Sequence, residues 1–320
     1  MPKPRLLVTR KLPDPVEERA RRDYDALLNR DDAPLDRAEM ARRAAGAAAI
    51  LCTVGDDFSA AGIAALPDTV RMLATFSVGY DHIDVAAARA RGIAVANTPD
   101  VLTRSTADIT VLCLLGAARR ASEGERLIRE DRWTGWAPTQ LMGTEVSGKR
   151  LGIVGMGRIG QAVAKRALGF EMEVHYTDAA PRALPPDLPA TFHADADEML
   201  PLCQFLSLHV PLLPETKGWL DAARIARLPA GAIVVNSSRG GVVDDEALIA
   251  ALRSGHLAAA GLDVFAGEPR IHPAYRALPN TFLLPHLGSA TQETRAAMGF
   301  RALDNLDAFF AGRPLVDGVA

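Results

Sequence analysis

Short hydrophobic runs alternate with amphipathic, alanine-rich stretches along the first hundred residues. The runs are RLLVTR, AAAILC, RMLATFS and GIAVANT, and helical patterns lie between them at 16–28, near Ala60 and near Val85. A short apolar run is typical of a strand buried on both faces, and a helical stretch between two such strands provides a parallel crossover. The pattern therefore predicts a small α/β domain with βαβαβαβ order and a parallel sheet.

A second and longer alternation begins at Lys149. Its six predicted strands are LGIVG, EVHYTD, FLSLHV, AIVVNSS, AAAGLDVF and TFLLPH, and helices are predicted at 161–168 and 244–253. Six strands of this kind, several of them separated by helices, predict a doubly wound parallel sheet that binds a nucleotide.

Two further helices are predicted outside these alternations. Residues 106–129 fit one long helix, apolar in its first half and charged in its second, which we expect to connect the two domains. An amphipathic helix at 291–310 is followed by Gly312 and Pro314, which are suitable stop signals. We expect this last helix to pack back on the first domain.

Composition narrows the classes of protein that fit this pattern. The chain has 320 residues, 48% of them hydrophobic and 23% charged, which is enough to fill two cores. Its net charge of -3 is carried by interspersed acids and bases and provides no strong field for nucleic acid or anionic lipid. The cysteines Cys52, Cys113 and Cys203 form neither a zinc spacing nor a disulfide framework, and no apolar run suits a signal peptide or a membrane span. We therefore expect a cytoplasmic protein without a metal, a nucleic-acid partner or a membrane partner.

Three glycines follow the strand LGIVG and precede a predicted helix. They are Gly155, Gly157 and Gly160 in the segment GMGRIG. In a dinucleotide fingerprint the first glycine permits a tight turn, the second lets the backbone approach the pyrophosphate, and the third allows close packing of helix and strand. The alternative is an ordinary glycine-rich turn, but the flanking strand and helix favour a dinucleotide site.

The next strand, EVHYTD, ends in Asp178, at the distance where a carboxylate would accept hydrogen bonds from the adenosine ribose. This residue favours NAD(H), because the 2'-phosphate of NADP would meet its negative charge. Position 179 is alanine rather than a neutralising arginine, although Arg182 is close enough in sequence to leave NADP(H) as an alternative. Asp178 could instead simply cap the turn that follows.

Ionisable residues also follow the later strands: Arg239 after AIVVNSS, Asp263 late in AAAGLDVF, Glu268 just beyond it, and His286 directly after TFLLP. Ligands of an open parallel sheet bind at the carboxyl ends of its strands, so separate strands would deliver these groups to one crevice. Reduction of a 2-oxo acid needs a cation for the carboxylate and a proton donor for the carbonyl oxygen. Arg239 suits the first need and His286 the second, with Glu268 orienting the imidazole and favouring its charged form.

The remaining histidines carry weaker signals. His209 ends a strand and is a candidate to border the adenine, whereas His82, His175, His193, His256 and His272 are interpreted as structural or surface residues. No zinc spacing, nucleophile elbow or Walker loop is visible, so the sequence does not support metal-dependent or hydrolase chemistry.

The motifs together resemble one family, the D-isomer-specific 2-hydroxyacid dehydrogenases, and most closely its glyoxylate/hydroxypyruvate reductases. The similar segments span nearly the whole chain and are SVGYDHIDV, NTPDVLTRSTAD, RWTGWAP, GMGRIGQAVAKR, LHVPLLPETKG, NSSRGGVVDDEAL, AAAGLDVFAGEP and LPHLGSAT. The loop GEPRIHPAY departs from the family's usual pattern after the glutamate, and YTDAAPR lacks the arginine with which many of these reductases bind NADPH.

This resemblance implies a catalytic set of Arg239, Glu268 and His286, with the Val78–Gly79 backbone helping to bind the substrate carboxylate. It implies a doubly wound parallel-sheet Rossmann domain at 99–288 and a smaller flavodoxin-like α/β substrate domain at 1–98 and 289–320. The expected coenzyme contacts are Thr106, Gly155, Gly157, Arg158, Ile159, Gly160, Asp178, His209, Val210, Pro211, Thr216, Ser237, Ser238, Arg239, Asp263, His286 and Gly288. The resemblance also implies a homodimer, in which Trp136 either enters the neighbouring subunit's site or packs in the interface.

The expected reaction is reduction of glyoxylate or hydroxypyruvate to the D-2-hydroxy acid by NAD(P)H. Within the same enzyme class the alternative substrates are 2-ketogluconate, phosphoglycerate or formate. An alternative from another class is a protein that senses NAD by binding it without turnover, since a fold alone does not determine function. The presence of all three candidate catalytic residues favours the enzyme.

Overall fold

A computed structural model describes residues 2–319, which divide into two compact units. One contains the described residues up to Leu102 together with those from Ala290 onward, and the other is Thr103–Ser289. Each unit has its own parallel β-sheet. Within residues 2–319, no helix combines the length and apolar character needed to cross a membrane.

The first unit is a five-stranded α/β unit. Its strands are β1 (Arg5–Val8), β2 (Asp25–Leu27), β3 (Ala49–Cys52), β4 (Met72–Thr75) and β5 (Ala94–Ala96), and its helices are α1 (Asp14–Asp23), α2 (Arg37–Arg43), α3 (Ala60–Ala65), α4 (Val85–Ala90) and α12 (Gln292–Phe310). The strands are parallel and lie in the order β2-β1-β3-β4-β5, which is the flavodoxin-like order. The predicted small parallel α/β fold is confirmed.

The predicted helix at 16–28 is wrong in its last part. Helix α1 ends at Asp23, Tyr24 adopts an extended conformation, and β2 follows at once and pairs with β1. A three-residue edge strand has too little periodicity of its own to be separated from the end of a helix. Segment β2 is a strand because it pairs with β1, which is distant in sequence.

The C-terminal helix α12 belongs to the first unit, where it packs on β4 and α1. Its N-terminus is capped by the Thr291 hydroxyl, which accepts a hydrogen bond from the Thr294 N–H. Arg19 of α1 forms ion pairs with Asp304 and Asp307 of α12 at 2.7 and 2.6 Å. The end of the chain therefore completes the fold begun by its first hundred residues.

The second unit contains a seven-stranded sheet. Its strands are β6 (Arg150–Val154), β7 (Glu173–Thr177), β8 (Thr191–Phe192), β9 (Phe205–Leu208), β10 (Ala232–Asn236), β11 (Leu257–Leu262) and β12 (Thr281–Leu283). Its helices are α5 (Thr103–Ala118), α6 (Ala121–Arg129), α7 (Arg158–Leu168), α8 (Ala196–Met199), α9 (Ala222–Arg227), α10 (Asp245–Ser254) and α11 (Ala274–Ala277). The order β8-β7-β6-β9-β10-β11-β12 is the doubly wound dinucleotide-binding order with one added edge strand. All six predicted strands are present, and the short β8 was not predicted.

Strand β10 shows how the sheet is buried on both faces. Ala232 and Val234 belong to one core cluster with residues of α9 and α10, whereas Ile233 and Val235 belong to a second cluster with residues of α5 and α7. Successive side chains of a strand point to opposite faces, so a strand covered by helices on both sides needs a continuous apolar run. This is the physical reason why AIVVN is uninterrupted.

The single helix predicted at 106–129 is also wrong, because two helices occupy this region. Helix α5 ends at Ala118 and α6 begins at Ala121, with Arg120 between them in a left-handed conformation at φ 53°. The apolar half, α5, packs against α7, β10 and β11 as one of the layers that cover the sheet. Its hydrophobic character therefore reflects burial in the core of the second unit.

Candidate active site and coenzyme site

The glycine segment lies in the turn between β6 and α7, at the carboxyl end of β6. Gly155 has φ 93°, and a Cβ atom there would lie 2.8 Å from the His209 carbonyl oxygen. A Cβ on Gly160 would lie 2.2 Å from the Gly155 carbonyl oxygen, so only glycine permits this contact. A Cβ on Gly157 would meet no described atom within 4 Å, which leaves its backbone open to a ligand. These three environments fit a turn that brings the N-terminus of α7 against a phosphate group.

Asp178 follows β7 and lies beside this turn. Its Oδ2 accepts a hydrogen bond from the Met156 N–H at 3.0 Å, and its Oδ1 accepts one from the Ala179 N–H at 2.7 Å. Burial by itself raises the pKa of Asp178, but the Arg182 guanidinium and the two N–H groups hold it below its usual value. A carboxylate that remains charged at this position suits hydrogen bonds from ribose hydroxyls and also caps the local turn.

His286 and Glu268 form a direct pair. Nδ1 of His286 lies 2.7 Å from Oε2 of Glu268, and Oε1 of Glu268 accepts a hydrogen bond from the Phe265 N–H at 2.7 Å. Burial tends to raise the pKa of Glu268, but the His286 hydrogen bond and charge, the Phe265 N–H and the Arg239 charge lower it overall. The carboxylate is therefore charged and held on both oxygens. Because Glu268 engages Nδ1, Nε2 of His286 is the ring atom left for a substrate.

The buried Asp263 holds the segment that carries His286. Its side chain is fully buried, and its two oxygens accept hydrogen bonds from the Leu287 and Gly288 N–H groups at 2.6 and 2.8 Å. Its carbonyl oxygen also accepts the His286 N–H at 2.8 Å. Burial raises the pKa of Asp263, and the two backbone donors and the His286 charge oppose that shift. His286 itself has φ 58°, a conformation that these contacts maintain.

Arg239 lies at the end of β10, and Asn236 organises its loop. The Asn236 side-chain amide donates to the Arg239 carbonyl oxygen at 2.9 Å, and its Oδ1 accepts hydrogen bonds from the Ser238 N–H and hydroxyl at 3.0 and 2.8 Å. The half-buried Arg239 guanidinium donates to the Ser238 carbonyl oxygen at 2.8 Å. Asn236 was not among the residues predicted from the sequence. An Asn at the end of a strand, followed by two serines, is a signal for such a turn.

The loops of Arg239 and Glu268 are in backbone contact. A Cβ on Gly240 would lie 1.8 Å from the Phe265 carbonyl carbon and 2.1 Å from the Ala266 nitrogen. The contact places Gly240, which follows Arg239, against Phe265, whose N–H donates to Glu268. Together with the charge interaction between Arg239 and Glu268, it brings the three predicted catalytic side chains to one edge of the sheet.

Other predicted contact residues lie along the same carboxyl edge. Thr106 donates its hydroxyl to the Gly288 carbonyl oxygen at 3.1 Å, and Ser237 lies 2.6 Å from the Thr110 hydroxyl. His209 follows β9, its Nε2 lies 2.8 Å from the Ser207 hydroxyl, and burial lowers its pKa to about 4. His209 is therefore neutral at physiological pH.

The remaining predicted residues of the second unit lie at the start of α7 and on the loop after β9. Arg158 is exposed at the first position of α7, and Ile159 follows it, partly buried. Val210 is partly buried and Pro211 is exposed after β9. The Thr216 hydroxyl donates to the Pro211 carbonyl oxygen at 2.5 Å, which closes this loop on itself.

Val78 and Gly79 belong to the first unit, in the loop after β4. The Asn97 amide donates to the Val78 carbonyl oxygen at 2.8 Å, and the Ser77 hydroxyl donates to the Gly79 carbonyl oxygen at 2.7 Å. These two bonds fix the peptide planes of the loop. Within residues 2–319, no group of three His, Cys, Asp or Glu side chains is placed to bind a metal ion.

The chain is similar to one family of known proteins and to relatives of nearly the same length. The family described as "D-isomer specific 2-hydroxyacid dehydrogenase, NAD binding domain" matches residues 111–288. The chain is 46% identical to a glycerate dehydrogenase of Hyphomicrobium methylovorum over 315 residues, covering 98% of each chain. It is 41% identical to a glyoxylate reductase of Korarchaeum cryptofilum, covering 97% of this chain and 94% of that protein.

A solved structure is similar over nearly the full length. The NADPH-dependent glyoxylate/hydroxypyruvate reductase of Sinorhizobium meliloti, in complex with NADP and malonate, superimposes with a TM-score of 0.89 at 34% identity. The alignment covers 99% of this chain and 97% of that one. The similarity therefore extends over both units.

Proposed function

The chain belongs to the D-isomer specific 2-hydroxyacid dehydrogenases, and from this premise we propose that it reduces glyoxylate or hydroxypyruvate to the corresponding D-2-hydroxy acid with NAD(P)H. The observation that carries this proposal is the His286–Glu268 pair on the same sheet edge as Arg239. Two of its relatives are named glycerate dehydrogenase and glyoxylate reductase, and these names support a small 2-oxo acid as the substrate.

Arg239 is proposed to bind the substrate. Its planar guanidinium offers donors in a fork that matches the carboxylate and the neighbouring carbonyl oxygen of a 2-oxo acid. The backbone N–H groups of Val78 and Gly79 are proposed to bind a substrate carboxylate, and the first unit would accordingly be the substrate domain. Binding through these groups polarises the carbonyl and places its carbon for reduction.

His286 is proposed as the general acid. As an imidazolium it holds its Nδ1 proton toward Glu268 and donates its Nε2 proton to the carbonyl oxygen as negative charge develops there. The negative charge of Glu268 stabilises the imidazolium before transfer and fixes the plane of the ring. In the oxidative direction the neutral Nε2 accepts the hydroxyl proton, so one residue serves both directions.

The second unit is proposed to bind the coenzyme, which when bound supplies the hydride that reduces the carbonyl carbon. The turn Gly155–Gly160 and the N-terminus of α7 would hold the pyrophosphate, and Asp178 the adenosine ribose. Thr106, His209 and Asp263 lie along the same carboxyl edge and would complete the site. The charged Asp178 favours NAD(H), with NADP(H) as an alternative.

The protein is further proposed to be a cytoplasmic homodimer. Four of the exposed large apolar side chains of the second unit lie within residues 128–142, namely Ile128 at 59%, Trp133 at 52%, Trp136 at 80% and Met142 at 65%. A concentration of exposed apolar residues within one short region is typical of a protein interface. The three cysteines are free and buried, which suits a reducing compartment.

The decisive experiment is a set of initial rates with glyoxylate, hydroxypyruvate and other 2-oxo acids, each measured with NADH and NADPH. Oxidation of either coenzyme with glyoxylate or hydroxypyruvate is expected. Replacement His286→Asn should lower kcat by about two to four orders of magnitude, because the proton donor is lost. Inactivity across the whole panel would reject the proposed reaction.

A further inference from the structure

Asp178 is bound by four donors in this structure. Its Oδ1 accepts the Ala179 N–H at 2.7 Å and Nη2 of Arg182 at 3.0 Å, and its Oδ2 accepts the Met156 N–H at 3.0 Å and Nε of Arg182 at 2.8 Å. An ionised carboxylate has about four lone-pair sites. The acceptor capacity of Asp178 is therefore filled by the protein itself, and the side chain is only 10% exposed.

The four donors differ in how easily they can move away from Asp178. The Met156 and Ala179 N–H groups belong to the main chain of the glycine turn and of the turn after β7. Arg182 is different, because its side chain is 49% exposed. Its backbone is anchored, since its N–H donates to the Tyr176 hydroxyl at 3.1 Å. The guanidinium can thus swing into solvent while the rest of the turn stays in place.

We infer that Arg182 controls which coenzyme this chain prefers, by competing with the adenosine ribose for Asp178. This inference rests on the proposed binding of a nicotinamide dinucleotide. A ribose with free 2'- and 3'-hydroxyls donates hydrogen bonds, and it finds an acceptor on Asp178 only after the Arg182 fork has opened. NAD(H) binding therefore includes the free energy needed to break the Asp178–Arg182 ion pair.

The same side chain has the opposite effect on NADP(H). Once released, the Arg182 guanidinium lies close to the ribose edge that Asp178 binds and offers a bidentate partner for a 2'-phosphate. Asp178 repels that phosphate and Arg182 attracts it. The preference between the coenzymes is then set by two residues, four positions apart, whose mutual pairing must open for either ligand.

The inference predicts a gain of affinity when a residue of the coenzyme site is removed. In Arg182→Gln, Asp178 is freed for the ribose, and AMP and NADH should bind about two- to fivefold more tightly, the range expected for loss of an exposed ion pair. Adenosine 2',5'-bisphosphate and NADPH should bind about tenfold more weakly, because the phosphate loses a charged hydrogen-bond partner. In the Asp178→Ala background the gain for AMP should disappear, since the competition no longer exists.

Dissociation constants measured by calorimetry without any 2-oxo acid test this directly. AMP and adenosine 2',5'-bisphosphate lack the nicotinamide, so the result is independent of turnover and of the proposed substrate. Arg10→Gln is a matched control, because Arg10 forms the same bidentate pair with Asp32 at 2.8 and 3.0 Å in the first unit, and it should leave every constant unchanged. Weaker or unchanged AMP binding by Arg182→Gln would overturn the inference. So would a gain that persists when Asp178 is absent.

Discussion

Nδ1 of His286 lies 2.7 Å from Oε2 of Glu268, although the two residues are 18 positions apart and follow different strands. The other oxygen of Glu268 is held by the Phe265 N–H, and the segment after His286 is held by the buried Asp263. The imidazole is therefore oriented by groups that are themselves fixed by the backbone. This arrangement leaves Nε2 as the atom that can exchange a proton with a substrate.

Replacement Glu268→Gln should slow the reaction. Glutamine keeps an oxygen that can accept from Nδ1 of His286 but removes the negative charge beside the proposed proton donor. We expect kcat for 2-oxo acid reduction to fall about tenfold at neutral pH, because the imidazole loses the charged partner that holds it. Steady-state rates provide the measurement. Glu246→Gln removes the carboxylate of a comparable surface pair, with His272 at 3.2 Å, and should leave kcat unchanged. A Glu268→Gln protein as active as Glu246→Gln would contradict this role.

Replacement Asn236→Asp should impair substrate binding through Arg239. The isosteric carboxylate loses the amide donor to the Arg239 carbonyl oxygen and places a negative charge beside it. We expect kcat/KM for the 2-oxo acid to fall about tenfold or more, mainly through KM. The control is Asn280→Asp, because Asn280 also donates to two carbonyl oxygens, those of Leu252 and Ala258. Equal losses in both variants would contradict a positioning role for Asn236.

Gly240 and Gly241 should respond very differently to alanine. A Cβ on Gly240 would lie 1.8 Å from the Phe265 carbonyl carbon, whereas one on Gly241 would approach only the flexible Leu212 side chain at 3.1 Å. We expect Gly240→Ala to cost about 2–4 kcal/mol of unfolding free energy, and to lower kcat as it separates Arg239 from Glu268. Urea unfolding and steady-state rates measure both effects. A Gly240→Ala protein as active and stable as Gly241→Ala would show that the backbone contact is unimportant.

The partly buried His209 should make the protein less stable in mild acid. Burial lowers its folded-state pKa to about 4, below the value of 6.5 for a free side chain, so the unfolded chain binds the proton more readily. Stability from this residue is complete above about pH 6.5 and is lost as pH falls toward 4. Between these limits the free energy of unfolding of the wild type should fall by about 1–3 kcal/mol more than that of His209→Gln, because glutamine does not titrate. Denaturation at several pH values measures this difference, and parallel curves for the two proteins would contradict it.

The proposed dimer should depend on the exposed apolar residues of the second unit. Light scattering is expected to give twice the chain mass of 34.1 kDa. Ile128→Glu combined with Met142→Glu should shift the mass toward the monomer, because buried charges without partners destabilise an interface. Val316→Glu alters an apolar residue of the first unit that is 47% exposed and should leave the mass unchanged. A monomeric wild type at micromolar concentration would reject the dimer.

Much of the second unit could be predicted because its signals are local. Strands β6, β10 and β11 contain continuous apolar runs, and a parallel sheet covered on both faces favours such runs. The ionisable residues at the ends of these runs then fall on one edge by topology alone, which is why Arg239, Glu268 and His286 could be selected together. The two-residue β8 and the three-residue β2 carry no such signal, since each exists only through its pairing with a distant strand.

The break between α5 and α6 and the details of both sites depend on tertiary contacts. Apolar and charged halves of one helical pattern do not reveal that Arg120 leaves the helix, because helical periodicity continues on either side of it. Residue types predict Asp178 as a ribose acceptor but do not indicate that Arg182 already binds both of its oxygens. The amino-acid sequence by itself therefore determined the fold class, the order of the strands along the chain and the chemistry at their ends. Only the folded structure decided which of those groups are paired, buried or displaceable, because these properties depend on neighbours that are remote in sequence.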